Sequence, residues 1–159
     1  MSLQAQRIVA RAKSQKGFRE GANNDNKYGK AFGGNHAPWC AYFVSWVFKE
    51  EGLLHLIGQT PKGFCNCADF QEWAIEQKQT VPVGKIQGGD ILLFGEKGGK
   101  PYHTGIAEDV INLKTGKVFD WEGNTSSGAK GSQANGDGVY HRSRHKSWIL
   151  TVFRPAWEE

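Results

Sequence analysis

From Trp39 to Phe48 the chain reads Trp-Cys-Ala-Tyr-Phe-Val-Ser-Trp-Val-Phe, apolar at almost every position, with Pro38 before the run and Gly52 after it. A helix that faces water on one side carries a polar stripe, and a segment without one must be covered nearly all round. Proline at the start and glycine just past the end are what helices favour at those places. The spacing therefore predicts a buried helix, and whatever else the chain builds has to wrap it. With 159 residues there is enough material to do so around one core, so a single domain over residues 1–159 is expected.

On the N-terminal side, Ala5, Ile8, Val9 and Ala12 recur at the spacing of an amphipathic helix that stops before Gly17. Residues 21–38, rich in Asn and Gly and without periodicity, read as a long loop. A third helix is predicted over Ala68–Gln77, with Asn66 as its N-cap and Phe70, Trp73 and Ala74 on one face. Beyond Val81 the pattern changes to short β-prone runs between glycine-rich turns, predicting strands at Ile91–Phe94, His103–Ile111, Lys117–Glu122, Val139–Arg142 and Trp148–Phe153, with an exposed loop over 124–137. Helices first and an antiparallel sheet afterwards is the order of an α+β domain, with N-terminal helices packed on the sheet.

Composition narrows the function classes. No apolar run approaches the ~20 residues of a membrane-spanning helix, and Met1–Lys13 mixes polar and apolar residues unlike a signal peptide. Synthesis in the cytoplasm without membrane insertion is expected, and any action outside the cell then needs a separate release step. The formal charge of +4 is spread along the chain, with one modest cluster at Arg142, Arg144, His145 and Lys146. That cluster reads first as a solvated basic surface. With no nucleic-acid motif beside it, no nucleic-acid partner is expected, and a monomer is expected. Cys40, Cys65 and Cys67 are odd in number, and the last two are too close for easy unstrained pairing with each other. This disfavours a disulfide framework. One close thiol pair with no second pair also argues against zinc, and no metal or cofactor is expected.

Candidate chemistry starts at Cys40. A thiol attacks only as thiolate, and unsatisfied N–H groups at a helix N-terminus lower its pKa. A base is required, and His103 opens a predicted strand just after the turn at 98–102, although His36, His55, His141 and His145 compete for the role. The strands starting at His103 and ending near Glu122 are joined by a turn containing Thr115 and Gly116, so they should form a hairpin. The midpoint between positions 103 and 124 falls inside that connection, which puts the segment from Glu122 to Asn124 across from His103. Along the second strand Val118, Asp120 and Glu122 share one face and Phe119 and Trp121 the other, and the carboxylates are expected to point outward while the aromatics pack. Taken singly, each of these residues has a plainer reading as packing or surface. The set of a thiol, a base and an orienting group is what points to nucleophilic catalysis.

Four motifs occur in order: Ala37-Pro38-Trp39-Cys40-Ala41-Tyr42-Phe43-Val44-Ser45-Trp46, Gly88-Gly89-Asp90-Ile91-Leu92-Leu93-Phe94, His103-Thr104-Gly105-Ile106-Ala107 and Glu122-Gly123-Asn124-Thr125. Together they resemble the CHAP family of the NlpC/P60 papain-like group, from Gly21 to about Arg154. The resemblance implies a papain-like α+β fold and peptidoglycan as partner and substrate, cleaved at an amide bond by an amidase or endopeptidase of a phage endolysin or bacterial autolysin. It implies Cys40 as nucleophile, His103 as base, and Glu122 and Asn124 as the groups orienting that base. Tyr28 resembles the tyrosine such enzymes place beside the nucleophile, and Trp39, Trp121 and Trp148 are candidates to line a substrate groove. Some CHAP domains bind calcium in the loop before the nucleophile, but here Asn23-Asn24-Asp25-Asn26 offers one carboxylate, thin for a hard cation. Rival readings are a secreted antibacterial amidase toxin and a non-catalytic wall-binding module of the same fold.

Overall fold

The computed structural model describes residues 1–58, 63–125 and 135–158. Its first helix, α1 (Leu3–Lys13), begins where the Ser2 side chain accepts a hydrogen bond from the Ala5 N–H, and it buries Ala5, Ile8 and Ala12. Inside the stretch expected to be loop lie a 3-10 turn (Ala22–Asn24) and a short α-helical turn, α2 (Lys27–Lys30). Asn26 caps it by accepting from the Gly29 N–H at 2.7 Å, a local side-chain bond that apolar periodicity does not reveal. The apolar run forms α3 (Cys40–Glu50), with Cys40, Ala41, Phe43, Val44, Ser45, Val47 and Phe48 buried. Gly52 follows at φ +71°, where a side chain would be strained. Helix α4 (Cys67–Glu76) starts at Asn66, whose Oδ1 accepts from the Asp69 N–H at 3.0 Å, as the sequence predicts.

A six-stranded antiparallel sheet follows: β1 (Thr80–Val81), β2 (Ile91–Phe94), β3 (His103–Ala107), β4 (Lys117–Thr125), β5 (Gly138–His145) and β6 (Ile149–Phe153), in the order β1-β6-β2-β3-β4-β5. The turn Gly88-Gly89-Asp90 leads into β2. There the buried Asp90 carboxylate accepts from Arg154 Nε at 2.9 Å and Nη2 at 2.8 Å, which ties the start of the sheet to the C-terminal segment. Strand β1, two residues long, escapes the sequence reading because it lacks an alternation to detect.

Both faces of the sheet are covered. Ile91, Leu93, Ile106, Trp121 and Phe153 pack with α1, α3 and α4 through Ile8, Phe43, Val44, Val47 and Phe70. Their neighbours Leu92, Phe94, Ala107, Val118 and Val152 form a second cluster with Ile86 and Ile111. This explains why β2 is apolar at all four positions. It also corrects one expectation: the face of β4 carrying Val118, Asp120 and Glu122 points inward, with both carboxyls fully buried, while Phe119 on the opposite face is 54% exposed. The second cluster covers the face that the strand alternation alone leaves open to water.

Strands β3 and β4 pair Ile106 with Trp121 and Ala107 with Asp120. Carried three residues further, the same register sets His103 opposite Asn124, the alignment read from the hairpin's symmetry. Between Glu122 and Thr125 the pairing of β4 with β5 shifts, and Asn124 sits there at φ +55°. Just before it, Gly123 faces α3, and a Cβ at this position would lie 2.6 Å from Phe43 Cβ and 2.7 Å from Trp39 Cζ3. Gly123→Ala is therefore expected to cost about 1–3 kcal/mol through overpacking, read as a lowered urea midpoint. An unchanged midpoint would show that α3 does not sit this close to β4.

Candidate active site

Cys40 is the first residue of α3, where the backbone N–H groups have no partner within the helix. It is buried but not sealed, with 6% of its surface exposed. Cys67, at the first residue of α4, is the neighbour with the largest influence holding the Cys40 thiol pKa well below its usual range. Burial opposes this, and His103 and the Ala41 N–H reinforce it. Cys67 is shifted the other way, upward, through Cys40 and its own burial. Of the two thiols, Cys40 is the one favoured as anion.

His103, at the start of β3, has no exposed surface. Burial alone would strip its proton, yet the Glu122 charge, with help from Cys40, pushes its pKa up to about 9. Nε2 lies 2.7 Å from Glu122 Oε1. That contact occupies Nε2 and leaves Nδ1, which has no hydrogen-bond partner among the described residues, as the ring nitrogen that can serve the thiol. The ring is stacked against Phe94 at 5.8 Å and against the half-buried Trp148 at 5.8 Å, which limits its rotation. These shifts favour a thiolate beside an imidazolium, backed by a carboxylate.

Glu122 is fully buried, which by itself would raise its pKa. Arg144 hydrogen bonds, then His103, bring it down to about 2. Arg144 reaches over from β5 with Nε 2.7 Å from Oε2 and Nη2 2.6 Å from Oε1. Two residues before Glu122 on the same strand face, Asp120 is also fully buried. Burial, then the neighbouring Glu122 charge, raise its pKa well above the carboxylate range, which favours the neutral acid.

The structure thus brings Cys40, His103 and Glu122 together. Asn124 is buried at the bulge beside them, with its Nδ2 donating to Asn135 Oδ1 at 3.2 Å. Of the four aromatic candidates for the site, Tyr28, Trp39 and Trp121 are buried and Trp148 is half-buried. Tyr28 and Trp39 have no exposed surface and stack on each other at 5.3 Å, and the Tyr28 hydroxyl donates to Gln15 rather than towards the thiol. Trp121 is 2% exposed and its Nε1 donates to Glu108 at 2.7 Å. Their burial assigns these rings to packing around α3 and β4, where wrapping an all-apolar helix needs large side chains. Trp148 is instead the tryptophan that covers His103.

In the loop before α2, Asp25 Oδ1 accepts from Asn35 at 2.8 Å and lies 3.1 Å from Lys30 Nζ. Among the described residues no group of three or more His, Cys, Asp or Glu side chains is placed to hold a metal ion. Sequence reasoning missed Cys67 and Asp120 as parts of the site and took Arg144 for surface charge. The alternation of Val118, Asp120 and Glu122 was the one available signal, since two carboxyls on a covered face require a counter-charge.

A helix carrying its cysteine at the N-terminus, packed on an antiparallel sheet that opens one strand with histidine, defines an α+β domain of the papain-like class. The chain belongs to the CHAP domain family, whose model matches residues 32–124. That family is generally one of cysteine- and histidine-dependent amidases or peptidases. A solved structure titled "The crystal structure of Ly7917" is similar in fold, with a TM-score of 0.53 and 14% identity over 95% of this chain. This chain spans 62% of that protein. No curated protein matches.

If the Cys67 thiol supports the Cys40 anion, Cys67→Ala should raise the Cys40 pKa. Alkylation of Cys40 by iodoacetamide in mildly acidic buffer, followed by peptide mass, should then slow relative to the parent chain. An equal rate would mean that His103 and the helix end suffice.

Proposed function

We propose that this chain is a peptidoglycan hydrolase that cleaves an amide bond of the bacterial wall through Cys40, either between the sugar's lactyl group and the first amino acid or within the peptide. The observation carrying this reading is the buried array Cys40, His103 and Glu122, in which the thiol is poised as anion and the imidazole as cation. Membership of the CHAP family supports the substrate class.

In this reading the Cys40 thiolate attacks the amide carbonyl carbon, and the carbonyl electrons move to oxygen. The Cys40 backbone N–H, which has no partner within α3, is the donor assigned to that oxyanion. Collapse of the intermediate breaks the C–N bond as His103 gives its proton to the departing amine, leaving a thioester. Water then attacks the thioester, His103 takes the water's proton, and the acid leaves with Cys40 restored as thiolate. Glu122 touches neither substrate nor thiol. It positions the imidazole and stabilises its charge, and Asn124 shapes the strand bulge beside it. The chain acts as one catalytic domain, made in the cytoplasm and reaching the wall by phage lysis or dedicated export, in an endolysin or autolysin setting.

Cys40→Ala should abolish release of soluble fragments from purified walls while circular dichroism stays unchanged, and mass spectrometry of the new ends made by the parent chain identifies the bond. Undiminished release by the variant would refute the assignment. Activity requires the protonated imidazole, so kcat/KM should hold on the neutral side and fall as pH rises through about 9. A fall centred near the ordinary histidine value would contradict the Glu122 contribution.

A further inference from the structure

We propose that Arg144 is a positioning residue of this site: its two hydrogen bonds hold Glu122 as the ionised member of a buried carboxyl pair and keep that carboxylate against His103 Nε2. The inference rests on the proposed roles of Cys40 and His103 and assigns how their ion pair is maintained.

Glu122 and Asp120 lie on one face of β4 with no exposed surface, over Gly105 of β3. A Cβ at Gly105 would collide with Asp120 Oδ2 and crowd Glu122 Cγ, so a glycine is what leaves room for both. Two neighbouring carboxyls in a dry site cannot both ionise at little cost, and something must decide which one keeps the proton. The groups facing the pair are His103 from β3, Arg144 and Arg142 from β5, and beyond the imidazole Cys40 from α3. Among the described residues Arg144 alone forms a fork on Glu122, with Nε at 2.7 Å and Nη2 at 2.6 Å, while neither Asp120 oxygen has a hydrogen-bond partner there. Glu122 is thereby selected as the anion.

Arg144 is itself held in place. Its Nη2 lies 3.2 Å from Thr125 Oγ1, and its guanidinium sits over the Trp148 ring at 4.8 Å. That same indole stacks on His103. One half-buried ring therefore fixes both the cation that grips Glu122 and the imidazole that Glu122 orients. An ion pair serving only fold stability needs no such shared contact with the histidine. Without Arg144 the carboxyl pair would share a proton more evenly. Glu122 would then be neutral part of the time, the imidazolium would lose its partner, and the thiolate would follow.

The test uses Arg144→Gln and Arg144→Lys, each alone and with Glu122→Gln, all in a Cys65→Ser chain so that the exposed thiol does not react. The pH dependence of Cys40 alkylation by iodoacetamide is followed by peptide mass, with wall hydrolysis in parallel. Arg144→Gln should slow alkylation on the acid side about tenfold, part of what a well-placed base contributes, and move the acid limb to higher pH. In the Glu122→Gln background the same change should add less than about twofold, since Arg144 acts through that carboxylate. Arg144→Lys keeps charge without the fork and should fall between, and it carries the comparison if the Gln variant does not fold. An acid limb that stays in place, or equal losses in both backgrounds, overturns the proposal and leaves Arg144 as a strut. Alkylation needs no substrate, so a parent chain that alkylates as described but releases no wall fragments counts against the proposed function and leaves this inference to be decided by the limbs.

Discussion

A carboxylate with no access to water must find its compensation inside the protein, and the Glu122 charge organises three strands for that purpose. His103 arrives from β3, Arg144 from β5, and Asp120 on β4 itself yields by staying protonated. Removing a single partner from such a cluster leaves a charge that neither solvent nor packing can accommodate. The pairing registers of β3 with β4 and of β4 with β5 are therefore both committed to one point, where the imidazole acquires its raised pKa.

Helix α3 solves a separate problem, and the site exists where the two solutions meet. Its apolar surface demands cover from α1, α4 and the sheet, and that cover presses its N-terminus towards the beginning of β3. Gly123 permits the approach, because Phe43 and Trp39 occupy the space a side chain would need. The thiol is thus delivered to the imidazole by packing forces that have no direct part in the chemistry. The Cys67 thiol, placed by the Asn66 cap of α4, completes the surroundings of the sulfur.

Much of this is legible in the amino-acid sequence. The buried helix follows from composition over ten residues, and the Asn66 cap from a local side-chain preference. The opposition of 103 to the segment around 122–124 follows from hairpin symmetry, because a short turn fixes register within a few residues. The outward direction expected for the β4 carboxylates failed. Alternation says which residues share a face, but whether that face meets water depends on Ile86, Ile111, Leu92 and Val152, which come from distant parts of the chain. Trp39 and Trp121, read as groove candidates, are buried for a related reason: large rings serve the wrapping of α3 and β4 where their surroundings are apolar.

What the amino-acid order determined alone was the local inventory: where the thiol sits on its helix, which strand opens with histidine, and which hairpin faces it. Each depends on interactions spanning a few residues or one short turn. The tertiary structure decided which charges lose their water. Arg144 looked like one of a solvated basic group until the second side of the sheet was closed over Glu122 and Trp148 was folded against both the guanidinium and the imidazole. Desolvation is a property of the whole enclosure, and no segment read by itself contains it.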